Sequence, residues 1–250
     1  MPSLVVDGAV ATVTLHRPAA ANRLELEDLA CLQDIVAQVN AHPALRVLCL
    51  RGEGRHFCSG FNVERVGSDG ASAGPRFEAL ADALEQARPV TVVMLQGGAY
   101  GGAVDLALAC DFRVGSPASE MRVPAAMLGL HFYRGGLERA VARVGLPMAR
   151  RLFLAADTLD ADTLRHAGLL DRVADTPEAV PDDTARFCAH LAALAPLALL
   201  GMRKHLNRIA RGTLDADALA HDIAAADASA DLQEGARAWR ERRAPQFTGR

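Results

Sequence analysis

Val90-Thr91-Val92-Val93-Met94-Leu95-Gln96-Gly97-Gly98-Ala99-Tyr100-Gly101-Gly102-Ala103-Val104-Asp105-Leu106-Ala107-Leu108-Ala109-Cys110-Asp111 is strand, turn and helix in one run. The β-branched residues from Val90 to Leu95 suit a buried strand, and the glycines around Ala99-Tyr100 permit positive φ and close backbone approach. From Gly102 to Cys110 no residue breaks an apolar helix. Its first N–H groups have no partner within the helix, and the helix dipole makes them a site for a negatively charged oxygen. Glycines ahead of a helix also serve as plain packing turns. The spacing matches neither a dinucleotide fingerprint nor a P-loop.

A second stretch has the same character. Arg55-His56-Phe57-Cys58-Ser59-Gly60-Phe61-Asn62-Val63-Glu64 also follows a strand, read over Leu45–Arg51. Upstream, Leu4–Leu15 is two β-rich runs around Asp7-Gly8, which predicts a hairpin. Leu24, Leu26, Leu29, Leu32, Ile35, Val36 and Val39 recur at helical spacing. Gly67–Gly74 is rich in Gly, Ser, Asp and Ala and predicts a loop able to gate a pocket, with a helix over Phe77–Ala87. Further on, strands are expected at Phe112–Gly115, Met121–Val123 and Gly168–Val173, and helices at Val141–Leu154, Ala161–Ala167 and Pro181–Leu194. Only helical patterns follow Pro196. The alternation predicts an α/β core with parallel pairing over residues 1–194 and a helical packing unit over 195–250.

Composition narrows the classes. A chain of 250 residues, half hydrophobic, buries a large core, and its net charge of −3 offers no general attraction to nucleic acid or to an anionic membrane. No apolar run reaches the roughly 18 residues of a membrane span. Met1-Pro2-Ser3-Leu4 lacks a signal-peptide pattern, so a cytoplasmic location is expected. Five scattered cysteines fit reduced, buried thiols, and no histidine pair or Cys-x-x-Cys suggests a metal.

With these pieces in order, the chain resembles the crotonase, or enoyl-CoA hydratase/isomerase, superfamily over nearly its whole length. Val10–Pro18 with Asn22 is similar to the family's first hairpin and Asn-Arg-Pro signature. Phe57-Cys58-Ser59-Gly60-Phe61-Asn62 is similar to its Phe-Ser-Ala-Gly-Ala-Asp segment, and Gln96–Cys110 to its Asn-Gly-x-Ala-x-Gly-Gly-Gly helix. Trp239–Phe247 resembles the closing Phe-x-Glu-Lys-Arg-x-Pro-x-Phe. The resemblance implies a spiral of ββα units whose C-terminal helices form a homotrimer or a hexamer. It implies an acyl-CoA thioester substrate, with coenzyme A carried by the substrate and no other cofactor. It places the oxyanion-hole donors at the N–H groups of Phe61 and Gly102, in agreement with the helix-start reasoning. It places the coenzyme A portion along Arg17, Asn22, Ser59, Gly60, Lys204 and Phe247. Arg203, Arg242 and Arg243 are further candidates to hold its phosphates.

The departures bear on the reaction. Hydratases of this family use two glutamates, and here these positions are Asp105 and Ala125. The first keeps a carboxylate on a shorter side chain, and the second keeps nothing that carries a proton. A third family position for an acid is occupied by Tyr133, within Leu130-His131-Phe132-Tyr133-Arg134-Gly135-Gly136, a segment with local similarity to methylmalonyl-CoA decarboxylases. Asp105 is therefore the principal candidate acid/base, with Tyr133 or His131 assisting. Isomerisation, decarboxylation and thioester hydrolysis fit one proton-transfer group better than hydration does. A structural Asp105, in a coenzyme A-binding or scaffold protein without turnover, is the competing reading.

Overall fold

The computed structural model describes residues 1–62 and 70–250, without the side chains of residues 70–72. The predicted hairpin is β1 (Ser3–Asp7) and β2 (Val10–Leu15), antiparallel, with Gly8 at φ 55° in the turn. Then come α1 (Leu26–Ala41), β3 (Val47–Gly52), α2 (Gly70–Glu85), β4 (Val90–Leu95), β5 (Gly98–Tyr100) and α3 (Gly102–Ala109). They are followed by β6 (Phe112–Gly115), β7 (Glu120–Arg122), α4 (Arg134–Phe153), β8 (Leu159–Asp160), α5 (Ala161–His166), β9 (Arg172–Val173) and α6 (Val180–Ala192). Three helices close the chain, α7 (Pro196–Ala210), α8 (Ala216–Asp227) and α9 (Ala230–Glu241).

The main sheet has the order β1-β2-β3-β4-β6-β9, parallel after the opening hairpin. All of β4 is buried, because both faces of the sheet are covered. On one side α1, α2 and α3 enclose the larger core, with Leu29, Leu80 and Leu106 among its members; on the other, Phe187, Cys188 and Leu191 of α6 close over Val47, Val92 and Val114. A smaller sheet, β5-β7-β8, accompanies it, and isolated parallel bridges Cys58–Ala99 and Leu24–Phe61 extend its line. Successive turns of chain thus give a strand to the large sheet and a short extended piece to the small one. That stacking brings Phe57–Phe61 beside the start of α3.

Two expectations need correction. Residues 67–69 of the expected loop lie outside the described residues, but Gly70–Gly74 is the opening of α2, not a loop. The reason is the packing of α2 on α1 and α3, which outweighs the helix-breaking glycines. Helix α4 begins at Arg134, not Val141, and breaks at Gly145, whose φ is 70°. Gly135 and Gly136 sit in its first turn because the space for side chains is taken: a Cβ on Gly136 would meet the Phe132 ring at 2.4 Å, and one on Gly135 would meet Glu78 at 2.9 Å. Close packing decides against propensity there.

The segment from Gly52 to Phe57 is clamped by two buried amides. Asn22, at φ 53°, donates through Nδ2 to Glu53 O (2.8 Å) and His56 O (2.9 Å), and its Oδ1 accepts from Arg17 N. Gln96 Nε2 donates to Gly52 O (2.8 Å) and Gly54 O (3.0 Å). Asn22→Ala removes three hydrogen bonds and places a Cβ residue without local polar compensation in the left-handed region. The expected loss is about 2–4 kcal/mol, from unsatisfied buried groups and the strained φ together. Urea unfolding at fixed protein concentration checks it, and an unchanged midpoint would show that the clamp is not needed.

Candidate active site

Helix α3 starts from Gly101, at φ 56° and ψ −125°, whose N–H donates to Arg122 O at 2.9 Å. Among the described residues, no acceptor is assigned to the N–H of Gly102 or of Phe61. Gly60 brings the two together. It holds φ +82°, and a Cβ on it would lie 2.6 Å from Tyr100 O and 3.2 Å from Gly102 N. Gly60 O accepts from Leu24 N at 2.8 Å, so across the trans peptide the Phe61 N–H points away from Leu24. The Phe77 ring of α2 lies against Gly102, 2.7 Å from where a Cβ would stand. Two N–H donors beside one another, one at a helix start and with an aromatic wall, form a cradle for an oxyanion.

Cys58, in the same segment, is not a nucleophile. Burial pushes its thiol up to about 12, and its Sγ donates to Asn22 O and accepts from Gly60 N.

One turn into α3, Asp105 is almost wholly buried in a helix whose other side chains are apolar. Its Oδ1 accepts from Arg139 Nε at 2.8 Å; its Oδ2 accepts from Arg139 Nη2 at 3.3 Å and from the Tyr133 hydroxyl at 2.8 Å. Arg139 is fully buried on α4 and also donates to Glu85 Oε2 (2.8 Å) and Asp82 Oδ1 (3.0 Å). Tyr133 is the N-cap of α4, its ring stacked 4.5 Å from that of Phe132. Burial, with the Asp105 carboxylate beside it, holds the phenol far above its ordinary pKa, so Tyr133 remains a protonated donor. Ala125, just after Pro124, carries only a methyl group and packs against the larger core.

His131 is not brought into the cluster. It is exposed, and its Nδ1 lies 2.7 Å from Phe132 O. Of the residues assigned to coenzyme A, Arg17, Asn22, Ser59 and Gly60 do come together: Asn22 N bonds Arg17 O, Ser59 Oγ donates to Ala20 O, and Leu24 N bonds Gly60 O. Their side chains are largely engaged inside the protein, Arg17 with Asp28 and Asn22 with the loop. Lys204 pairs with Asp222, and the Phe247 ring rests over Gly235. Among the described residues neither has a hydrogen bond to Arg17, Asn22, Ser59 or Gly60, and Phe247 O accepts instead from Arg46 Nη2 at 3.3 Å. Arg203 is buried and bonded to Asp111 and to carbonyls at the end of α2, which removes it as a phosphate ligand. Arg243 is paired with Glu234 and Glu241. A cleft of 1330 Å³ runs between α7 and α8 and the core, touching Glu78, Asp82 and Gly135 but not Phe61, Gly102 or Asp105.

Arg139, Asp82 and Glu85 were not singled out in the sequence. The available signal was charge in a buried phase: Arg139 shares its helical face with Gly135, Gly136 and Ala140, and a lone Asp in an apolar helix requires a cation somewhere.

This spiral, with its paired donors, is the crotonase fold. Residues 6–250 match the family model for enoyl-CoA hydratase/isomerase. The enoyl-CoA isomerase/hydratase of Mycosarcoma maydis is 32% identical over 261 aligned residues, covering 95% of this chain and 92% of that one. The crotonyl-CoA hydratase of Syntrophomonas wolfei is 28% identical, covering 95% and 94%. A solved enoyl-CoA hydratase/carnitine racemase from Magnetospirillum magneticum superposes with a TM-score of 0.90 at 26% identity, covering 100% and 96%. The chain belongs to the enoyl-CoA hydratase/isomerase family, whose enzymes act on acyl-CoA thioesters.

Gly102→Pro removes one of the two donors. Turnover of an acyl-CoA thioester is expected to fall by roughly 10²–10³-fold, the usual cost of one oxyanion-hole donor. Circular dichroism establishes whether the variant is folded, and an unchanged rate in a folded variant would make Gly102 a packing glycine only.

Proposed function

We propose that the chain forms and protonates the enolate of an acyl-CoA thioester, holding the carbonyl oxygen on the N–H groups of Phe61 and Gly102. One proton travels through Asp105 and Tyr133. Double-bond isomerisation is the leading reaction, with decarboxylation or thioester hydrolysis as alternatives, rather than hydration by two glutamates. The observation that carries this reading is the 2.8 Å hydrogen bond from Tyr133 to Asp105; the family resemblance puts a hydratase's second glutamate at Ala125, which carries no proton. As the enolate forms, negative charge gathers on the carbonyl oxygen, where fixed donors need no reorganisation. The proton leaving or reaching the carbon moves at Asp105 Oδ2 or at the Tyr133 hydroxyl joined to it. Tyr133 alone is no base, since its protonated form is strongly favoured.

Deuterium exchange at the α-carbon of a saturated acyl-CoA, followed by mass spectrometry in heavy water, reads enolate formation whatever the later steps. Asp105→Asn keeps the shape and is expected to slow exchange by about 10²–10⁴-fold with little change in thioester affinity. Unchanged exchange would dismiss Asp105 as the base. One observation favours the second reading, a thioester-binding protein without turnover: Arg139 engages both Asp105 oxygens, as in a structural ion pair. Tight binding with no exchange in the unaltered protein would establish that reading.

We also propose a homotrimer or a hexamer built on the tail. Met202, Leu206 and Ile209 of α7, Ile223 of α8, and Leu232 and Trp239 of α9 are exposed. Leu199 and Leu200 pack against the core of their own chain and are not part of that surface. Light scattering at micromolar concentration should give three or six times 26.5 kDa; a monomer would leave that apolar surface uncovered and refute the assembly.

A further inference from the structure

Helix α7 turns a polar stripe inward. Arg203 and Asn207, with Arg211 at its C-cap, are four residues apart and meet the C-terminal end of α2. Arg203 Nη2 donates to Leu84 O (3.2 Å) and Glu85 O (3.1 Å), and Asn207 Nδ2 donates to Glu85 O (3.0 Å). A cation and an amide are thus set on carbonyls at the negative, C-terminal end of α2. Arg211 does something different. Its Nε and Nη2 both donate to Glu85 Oε2, at 2.9 and 2.7 Å, the same oxygen that accepts from Arg139 Nη1 at 2.8 Å. Arg139 Nε in turn holds Asp105 Oδ1 at 2.8 Å. A continuous chain of charged contacts therefore runs from the tail to the candidate acid/base: Arg211, Glu85, Arg139, Asp105.

Resting on the reading that Asp105 moves the proton, we propose that Arg211 is a positioning residue for it. Asp82, Glu85 and Asp105 all face the Arg139 guanidinium. Arg211 satisfies Glu85 from the far side and also bonds Glu138 at 3.2 Å. That leaves Arg139 to meet Asp105 through Nε while Nη1 bridges back. Arg143 is the weaker partner of Glu85, its Nη2 pairing with Oε1 only at 3.8 Å while donating to Asn207 Oδ1. Without Arg211, Arg139 is drawn toward Glu85 and Asp82, and the Asp105 carboxylate loses its set orientation under Tyr133.

The test compares Arg211→Gln and Arg211→Lys with the unaltered protein. Arg211→Gln is expected to lower kcat about tenfold with KM changed less than about twofold, an effect within the range carried by residues along coupled networks. Arg211→Lys, which keeps the charge, is expected to recover most of the loss. A double-mutant cycle of Arg211→Gln and Asp105→Asn, read on unfolding equilibria, should depart from additivity by about fivefold although the two side chains share no contact. Additivity within about 1.5-fold, or equal loss in kcat with both substitutions at 211, overturns the proposal. The cycle needs no activity, so absence of turnover in the unaltered protein would count against the catalytic reading while the coupling is still decided.

Discussion

A guanidinium with no exposure to water and three carboxylates around it is the constraint on which this site is built. Isolated charges are costly to bury, and such a cluster is stable only if every partner is held in place. Arg139 on α4 meets Asp82 and Glu85 on α2 and Asp105 on α3. Three helices are thereby tied at one point. The glycines at 135 and 136 follow from the same demand, since α4 must lie close enough for a side chain one turn on to reach across. Removing one member would leave the rest uncompensated, which is why the cluster acts as a unit and not as three separate pairs.

The two backbone donors at Phe61 and Gly102, free among the described residues, depend instead on backbone geometry. Gly60 and Gly101 both adopt positive φ, and Gly60 lies so close to Tyr100 and Gly102 that a Cβ would collide with backbone. Neither donor is a side chain, so Phe61 can be bulky without losing the N–H it supplies. Asn22 and Gln96 serve this geometry at one remove, by holding the segment that leads into Phe57–Phe61.

How much of this was legible before the structure differs by kind of interaction. The run from Val90 to Cys110 carried its own evidence, because strand, turn and helix succeed one another in apolar sequence bounded by glycines, and β4 and α3 lie where that reading put them. The family motifs pointed to the same turn of chain. Gly70–Gly74 misled because its composition is that of a loop while its helix depends on contacts with α1 and α3, which no local window contains. Asp105 was noticed, but its cation was not: Arg139 lies 34 residues away, on a helix whose start was itself placed late. Pairings at such separation follow from topology, and one sequence states them only as an unmet need.

Helix α7 carries polar and apolar residues on opposite sides. An amphipathic helix ordinarily turns its apolar face toward the chain's own core. Here the polar stripe of Arg203, Asn207 and Arg211 is turned inward, onto α2 and Asp111, and Met202, Leu206 and Ile209 look out. The inversion is stable because the inner surface is not apolar: it is the carbonyl end of α2, with Glu85 and the carboxylate of Asp111, and cations with amide donors satisfy it better than leucines could. One helix therefore carries two kinds of contact on opposite sides. On the inner side the helix ends in Arg211, which braces Glu85, and through Arg139 that brace ends at Asp105.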